Sequence, residues 1–355
     1  MTQAATQLGF TVRIYDPAAN CPAAQVTRHA VTGSFDDAHA LSEFIRGNTI
    51  TTYDLEHINT APLFNLESAG HKIYPQAYVL DIIQDKEKQK NFLIKHAIPT
   101  ASLIPIDEIN EFPVILKICK GGYDGRGVFT IRSQNDLLHH TSLPFFLEKK
   151  ITFESELAVM VARDATGHIT TYPTVEMTFH SDVHICDMII APARISPELD
   201  QAARELAIRC IEALGGVGVF GVELFLTPDH QLLVNEIAPR PHNSGHHTVE
   251  ACYTSQFEQH IRAITGLPLG DTKLLMPSVM VNLLGEPGNI GKPVITGLDS
   301  LQLPGVNLHI YGKSETKPFR KMGHVTIIDP NIDRALIIAH DIKTHLKITS
   351  KGRLT

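Results

Sequence analysis

Phe220-Gly-Val-Glu223-Leu-Phe-Leu-Thr-Pro-Asp-His-Gln-Leu-Leu-Val-Asn235-Glu236 reads as two apolar strands joined at a polar turn, and each strand carries a glutamate. Pairing Thr227 with Leu232 around the four-residue loop from Pro228 to Gln231 sets Glu223 opposite Glu236. Their Cβ atoms would then lie about 5 Å apart. Like charges opposed on an apolar sheet destabilise it unless a cation lies between them, and hard carboxylate oxygens beside Asn235 suit Mg²⁺ better than a softer metal. The alternative is a shifted register that sends one glutamate to solvent, and the hairpin alone leaves both open.

The chain of 355 residues is 43% hydrophobic, enough for two or three domains that each bury a core. A formal charge of −7 and a pI near 6.2 give no global basic field for nucleic acid or anionic membranes, so positive residues must act locally. Cys21, Cys119, Cys186, Cys210 and Cys252 are odd in number and show no paired spacing for zinc, which reads as reduced thiols in a cytoplasm. The N-terminus lacks a charged-then-apolar leader, and the longest apolar stretch, near Gly215 to Leu226, is too short and too glycine-rich to span a bilayer. The expectation is a soluble, cytoplasmic enzyme that engages neither nucleic acid nor membrane.

Met1 to Gly9 reads as a helix, with strands at Phe10 to Asp16, Ala30-Val31, Thr49 to Tyr53 and His71 to Tyr74, so residues 1–75 form a small α/β domain. A helix is expected from Ala77 to His96, then strands at Pro113 to Ile118 and Val128 to Ile131 around a glycine-rich loop. Ser196-Pro197-Glu198 opens a helix with an N-cap serine and a proline at the first position, and Gly215 closes it. One more helix runs from Thr248 to Thr265. Beyond it, Pro277 to Leu284, Gly305 to Tyr311 and His324 to Ile328 suggest a small strand-rich C-terminal domain.

Lys120-Gly-Gly-Tyr-Asp-Gly-Arg-Gly127 frees the backbone to approach an anion, and consecutive amides in such turns make an anion-binding concavity. It returns into a strand instead of opening a helix and lacks the P-loop pattern, so it reads either as a flap over phosphates or as a plain glycine hairpin. Lys117, inside the apolar run before it, needs an anionic partner if buried, and phosphate is one. Phe145 to Ile151 could face a flat base with its backbone, and Glu156 could reach a ribose hydroxyl; a solvated edge is the alternative. Asn235-Glu-Ile-Ala-Pro-Arg240-Pro-His242-Asn243-Ser244-Gly-His246 follows the acidic hairpin directly and offers donors suited to a phosphorylated sugar, while zinc lacks the usual helical histidine spacing there. Lys313, Lys317, Arg320 and Lys321 cluster before Gly323-His324, either as a solvated loop or folded over a phosphate.

Taken in order, Lys-Gly-Gly-Tyr-Asp-Gly-Arg-Gly, Gly-Val-Glu-Leu-Phe, Asn-Glu-Ile-Ala-Pro-Arg-Pro-His-Asn-Ser-Gly-His and Arg-Lys-Met-Gly-His resemble the 5-(carboxyamino)imidazole ribonucleotide synthase family of purine biosynthesis. The resemblance covers nearly the whole chain. It implies a mixed α/β and α+β architecture: an ATP-grasp fold with an N-terminal Rossmann-like, pre-ATP-grasp domain (1–75), the ATP-grasp domain (76–268, flap 120–128) and a small C-terminal domain (269–355). It further implies a homodimer that converts ATP, bicarbonate and 5-aminoimidazole ribonucleotide into the N-carboxylated ribonucleotide, ADP and phosphate through carboxyphosphate.

Residue by residue, the resemblance gives Lys117 the ATP phosphates and makes Gly122, Tyr123, Asp124, Gly125, Arg126 and Gly127 part of the flap. Glu148, Lys149, Lys150 and Ile151 resemble the adenine hinge, Glu156 the ribose ligand and His180 a further nucleotide contact. Glu223 and Glu236, with Asn235 beside them, resemble the magnesium ligands. Lys86 stands where the family usually has an arginine near the nucleotide. Glu56, Tyr123, Arg126, Arg240, His242, Asn243, Lys313, Arg320 and Lys321 resemble the groups around the aminoimidazole ribonucleotide and its phosphate, and Lys117, Arg240 and Lys321 form the implied catalytic set.

Family members normally begin with a strand and a glycine-rich turn before the first helix, whereas Met1 falls inside that helix. The expectation is an N-terminal sheet with an unpaired edge. A formate-using glycinamide ribonucleotide transformylase, or another carboxylate–amine ligase of the superfamily, would share the ATP site and differ at the acceptor. A protein that binds nucleotide without turnover is the reading from a different class, which retention of both Glu223 and Glu236 disfavours.

Overall fold

The computed structural model describes residues 1–122, 127–140, 142–180, 183 and 185–351. At the N-terminal end, Arg13–Asp16 pairs in parallel with His29–Thr32, and Ile50–Thr51 pairs in parallel with Lys72–Ile73, as two separate two-stranded sheets. Two helices absent from the sequence reading, Ala38–Arg46 and Ala61–Ser68, close a core of Tyr15, Leu41, Phe44, Ile45, Leu63 and Ile73. The first is started by Asp37, whose carboxylate accepts from the amides of His39 and Ala40. Phe10 to Val12, expected as strand, precede the first strand pair as irregular chain.

The helix expected from Ala77 to His96 is two helices, Ala77–Ile83 and Lys86–Lys95. Asp85 breaks it, because its side chain accepts from the amides of Glu87 and Lys88 and so starts a new helix. Lys86 and Lys90, one helical turn apart, then share a face with Leu93. The helix expected from Thr248 to Thr265 is likewise two, Thr248–Ala251 and Gln256–Thr265. Ser255 caps the second, and Gly266 ends it with φ 80°.

The centre is a nine-stranded sheet, running in order through Leu232–Ala238, Gly218–Leu226, Ser155–Arg163, Val175–Phe179, Cys186–Ala191, Ser278–Leu284, Lys321–Ile328 and Val306–Ile310, with Ile169–Thr171 on the flank of Ser155–Arg163. The C-terminal strands therefore continue the central sheet through the pairing of Cys186–Ala191 with Ser278–Leu284. A helix the sequence reading missed, Ile332–His345, covers their far face with Ala335, Ile338, Ala339 and Ile342. Helix Pro197–Leu214 has the caps read from sequence: the Ser196 hydroxyl accepts from the Leu199 amide, and Gly215 ends it at φ 69°. It lays Leu206, Cys210, Ile211 and Leu214 against Val159, Val161, Phe220 and Val222. A second, three-stranded sheet, Val128–Ile131, Val114–Ile118 and Phe145–Lys149, carries Lys117 on its middle strand.

The acidic hairpin reaches its expected opposition by an unexpected route. Leu232 pairs with Leu226, not Thr227, because the Thr227 hydroxyl accepts from the Gln231 amide and holds the turn one residue longer. A β-bulge between Glu223 and Leu224 takes up the extra residue, so Glu223 still faces Glu236. The outer edge of Leu232–Ala238 is closed by side chains and loop: the Gln89 amide exchanges hydrogen bonds with the backbone of Ile237 (2.8 and 3.2 Å), and Val234 donates to Pro99 O. Helix Pro197–Leu214 backs this sheet, so weakening its cap tests the scaffold. Ser196→Ala is expected to cost about 1 kcal/mol, seen as a lower denaturant midpoint at unchanged slope; a slope change would show that the native state itself had altered.

Candidate active site

One cavity of about 2500 Å³ lies between the two sheets and reaches the N-terminal segment; Lys86, Lys117, Glu156, Glu223, Glu236 and Arg240 are on its wall. Glu156 and Glu223 come from adjacent antiparallel strands, and Glu236 comes from the next. Lys86 forms an ion pair with Glu236. Asn235 bridges the sheets: its Oδ1 accepts from Lys117 Nζ at 3.0 Å, and its Nδ2 lies 3.5 Å from Glu223 Oε2. His242 Nε2 is 3.5 Å from the other Glu223 oxygen.

These surroundings push the carboxylates apart in acidity. Burial, then Glu236 and Glu156, drive Glu223 up to about 8, whereas the Lys86 ammonium holds Glu236 down to about 2. Burial also raises Glu156 to about 7. Two hard carboxylates opposed on neighbouring strands, Glu223 and Glu236, with an amide oxygen beside them and a charge deficit on Glu223, fit a divalent, oxygen-seeking cation of the Mg²⁺ type.

On the opposite wall, Lys117 Nζ lies 2.7 Å from Glu148 Oε1, and Lys90 Nζ lies 2.7 Å from Glu148 Oε2, all three side chains buried. Lys90 escaped the sequence reading because the helix around it is so polar; its spacing from Lys86 and Leu93 is the signal that could have found it. The outer edge of Phe145–Lys149 is partly taken, since Ile104 donates to Leu147 O and Lys149 donates to Ser102 O. Lys149, Lys150 and Ile151 line the cavity. His180 packs against Phe319, ring centroids 5.8 Å apart, off the described cavity wall. Gly122 and Gly127 flank the segment bearing Tyr123, Asp124, Gly125 and Arg126, four expected site residues that fall outside the described residues.

At the far end, Arg240 Nη2 is 2.9 Å from Glu56 Oε1, tying the N-terminal segment to the hairpin's continuation. The turn bearing His242 is clamped by fully buried Gln256, which accepts from the His242 amide and donates to its carbonyl, both at 2.8 Å; no local sequence pattern marks it. Gly221 leaves the space His242 occupies, since a Cβ there would meet His242 Cβ at 2.8 Å. Asn243 and Asn282 exchange amide hydrogen bonds at 2.9 and 2.8 Å. Of the basic loop, Lys313, Arg320 and Lys321 line the cavity, while Lys317 pairs with Glu315 at 3.2 Å away from it. His324 stacks between His246 and His309, at 4.9 and 4.5 Å, and accepts or donates at Tyr311 Oη (2.8 Å).

Comparison with known proteins gives three consecutive family matches: the ribonucleotide synthetase preATP-grasp domain at residues 1–84, the ATP-grasp domain at 93–257 and the phosphoribosylaminoimidazole carboxylase C-terminal domain at 278–337. The chain is 39% identical to N5-carboxyaminoimidazole ribonucleotide synthase of Bacillus subtilis (strain 168), over 92% of this chain and 88% of that protein. Among solved structures, N5-carboxyaminoimidazole ribonucleotide synthetase from Thermotoga maritima is 48% identical with a TM-score of 0.90, covering 99% of this chain and 96% of that one. The Aspergillus clavatus synthase in complex with ADP and 5-aminoimidazole ribonucleotide is 33% identical with a TM-score of 0.87, covering 96% and 93%. The chain also matches proteins named phosphoribosylaminoimidazole carboxylase, of whose length it spans 61% to 65%.

The acidic pair sets a pH dependence of stability. Glu223 rises from an ordinary 4.5 to about 8, so the folded state holds an extra proton between those values and loses stability as pH climbs through them. Glu236 acts oppositely: its stabilisation is present above 4.5 and is lost as pH falls toward 2. Without divalent cations, Glu223→Gln is therefore expected to be more stable than the parent at pH 8 by more than about 1 kcal/mol, one pKa unit being about 1.4 kcal/mol. The difference should shrink toward pH 5. Parallel stability curves for the two proteins across this range would show that Glu223 is not held protonated.

Proposed function

The chain belongs to the N5-carboxyaminoimidazole ribonucleotide synthase family of ATP-grasp ligases, and from that premise we propose that it carboxylates 5-aminoimidazole ribonucleotide with bicarbonate at the expense of ATP, in purine biosynthesis. One observation carries this reading: Glu236 and Arg240 lie four residues apart on a single segment, so the acidic centre and the acceptor-side donors open into the same cavity. A phosphorylated intermediate formed at one end meets the amine at the other without leaving the protein.

ATP places its terminal phosphates at Lys117, which is positioned by Glu148 and Asn235. Glu223 and Glu236, with Asn235 beside them, would hold Mg²⁺, which when bound neutralises phosphate charge as the phosphoryl group moves. Bicarbonate attacks the terminal phosphorus, giving carboxyphosphate and ADP. The exocyclic amine of the ribonucleotide then bonds to the carboxyl carbon as the C–O bond to the phosphate breaks, and the departing phosphate takes the amine's proton. Arg240, His242 and Asn243 orient the acceptor, and Lys313, Arg320 and Lys321 supply positive charge for its 5′-phosphate. Arg240 is itself held by Glu56. Lys150 and Ile151 face the base and Glu156 the ribose.

The same proposal divides the chain near residues 75 and 268 and takes it as a cytoplasmic homodimer. No helix among the described residues is long and apolar enough to cross a membrane. Light scattering at working concentration reads the dimer directly.

The decisive experiment measures ADP release with ATP, Mg²⁺, bicarbonate and aminoimidazole ribonucleotide, each withheld in turn. Full rate is expected only with all four, and equal stimulation by formate in place of bicarbonate would overturn the assignment. Glu236→Ala is expected to lower turnover at least about 100-fold, the scale of losing a group that stabilises developing charge, with the melting transition still cooperative. Turnover within a few-fold of the parent would remove this carboxylate from the centre.

A further inference from the structure

Lys90 is off the wall of the main cavity, yet only the Glu148 carboxylate separates it from Lys117, the group assigned to the ATP phosphates. Its ammonium donates to Thr100 Oγ1 at 2.6 Å and to Ala101 O at 3.2 Å, and it forms an ion pair with Glu148 Oε2 at 2.7 Å. It is 3% exposed and absent from the cavity wall. Lys117 differs: among the described residues it meets Glu148 Oε1 and Asn235 Oδ1, which leaves a third proton, and it lines the cavity.

Glu148 thus sits between two ammonium groups with one oxygen toward each. Burial opposes its charge, but Lys117 and Lys90 together hold the carboxyl below its ordinary value. Solvent has little room to share this task, because the void behind Lys117, lined by Lys86, Gln89, Lys90, Phe146, Asn235 and Glu236, is about 10 Å³, room for about one water at most. The buried group Lys90–Glu148–Lys117 therefore carries a net charge of one positive unit. Without Lys90 that charge would be zero, and Lys117 would have to give up the full attraction of Glu148, the carboxylate in direct contact with it among the described residues, to engage an anion.

We propose that Lys90 is a positioning residue for the phosphate site, neutralising Glu148 from behind so that the charge of Lys117 is free to act on the nucleotide's phosphates. This rests on the assignment of Lys117 to those phosphates. The carbon stem of Lys90 matters only for packing; its charge matters for phosphate affinity. Adenosine, which has no phosphate, is therefore blind to the effect.

Calorimetric titration with ADP and with adenosine, both in Mg²⁺ buffer, separates the possibilities. The parent is expected to bind ADP more tightly than adenosine. Lys90→Met should lose about tenfold in ADP affinity while adenosine affinity stays within about twofold. The double variant Lys90→Met/Glu148→Gln restores a net charge of one positive unit and should recover most of the parent's preference for ADP. A purely structural role predicts that the double variant is no better than the single one. Should Lys90→Met fail to fold, the double variant still decides: an ADP preference within about threefold of the parent's supports the proposal, and its collapse overturns it. Equal losses for ADP and adenosine in the single variant, or no loss at all, also overturn it. A parent that shows no preference for ADP would instead remove Lys117 from the phosphate site and take the reading of function with it.

Discussion

Three buried or half-buried carboxylates, Glu156, Glu223 and Glu236, face one cavity from neighbouring strands, and the protein can keep them there only by bringing positive charge to meet them. The surrounding architecture answers that demand. Asp85 breaks a helix so that Lys86 reaches Glu236, and a second sheet delivers Lys117 to Asn235 from across the cleft. Compensation is incomplete at Glu223, the group pushed to about 8. That deficit makes the hairpin a binding site for a cation instead of a finished piece of core.

The residue types around this centre were legible in the sequence because expensive residues stood in apolar runs: a lysine in Val-Ile-Leu-Lys-Ile and two glutamates in one hairpin. The exact pairing was not. Thr227 closes its turn with its own hydroxyl, a side-chain bond that lengthens the loop by one residue, and the bulge at Glu223 undoes the shift. Apolar residues lie on both faces of these strands, so alternation could not reveal either change. Two opposite departures cancelled, and the expected opposition of the glutamates survived for a reason different from the one first drawn.

Helix ends followed the same logic. Ser196 with Pro197, and Gly215, marked their helix without ambiguity, since both caps are local chemistry. Asp85 and Ser255 are equally local, but each lies inside a longer polar or mixed stretch that reads as one continuous helix. Helix Ile332–His345 and the clamp by Gln256 stayed hidden because their meaning comes from distant partners: the C-terminal strands for one, the His242 turn for the other. The joining of those strands to the central sheet is likewise a long-range pairing, between Cys186–Ala191 and Ser278–Leu284, that no local pattern specifies.

The reciprocal pair Asn243–Asn282 ties the acceptor-side turn to this long-range seam, and Asn282 also donates to Cys186 O at 2.9 Å. Each amide supplies the donor that the other requires. Aspartate in place of either one would replace a donor with a second acceptor, so two oxygens would confront each other across the joint. The acceptor end of the cavity is thus held by a contact that depends on both side chains being amides: a change of a single atom, with a gain of one negative charge, is enough to unlatch it.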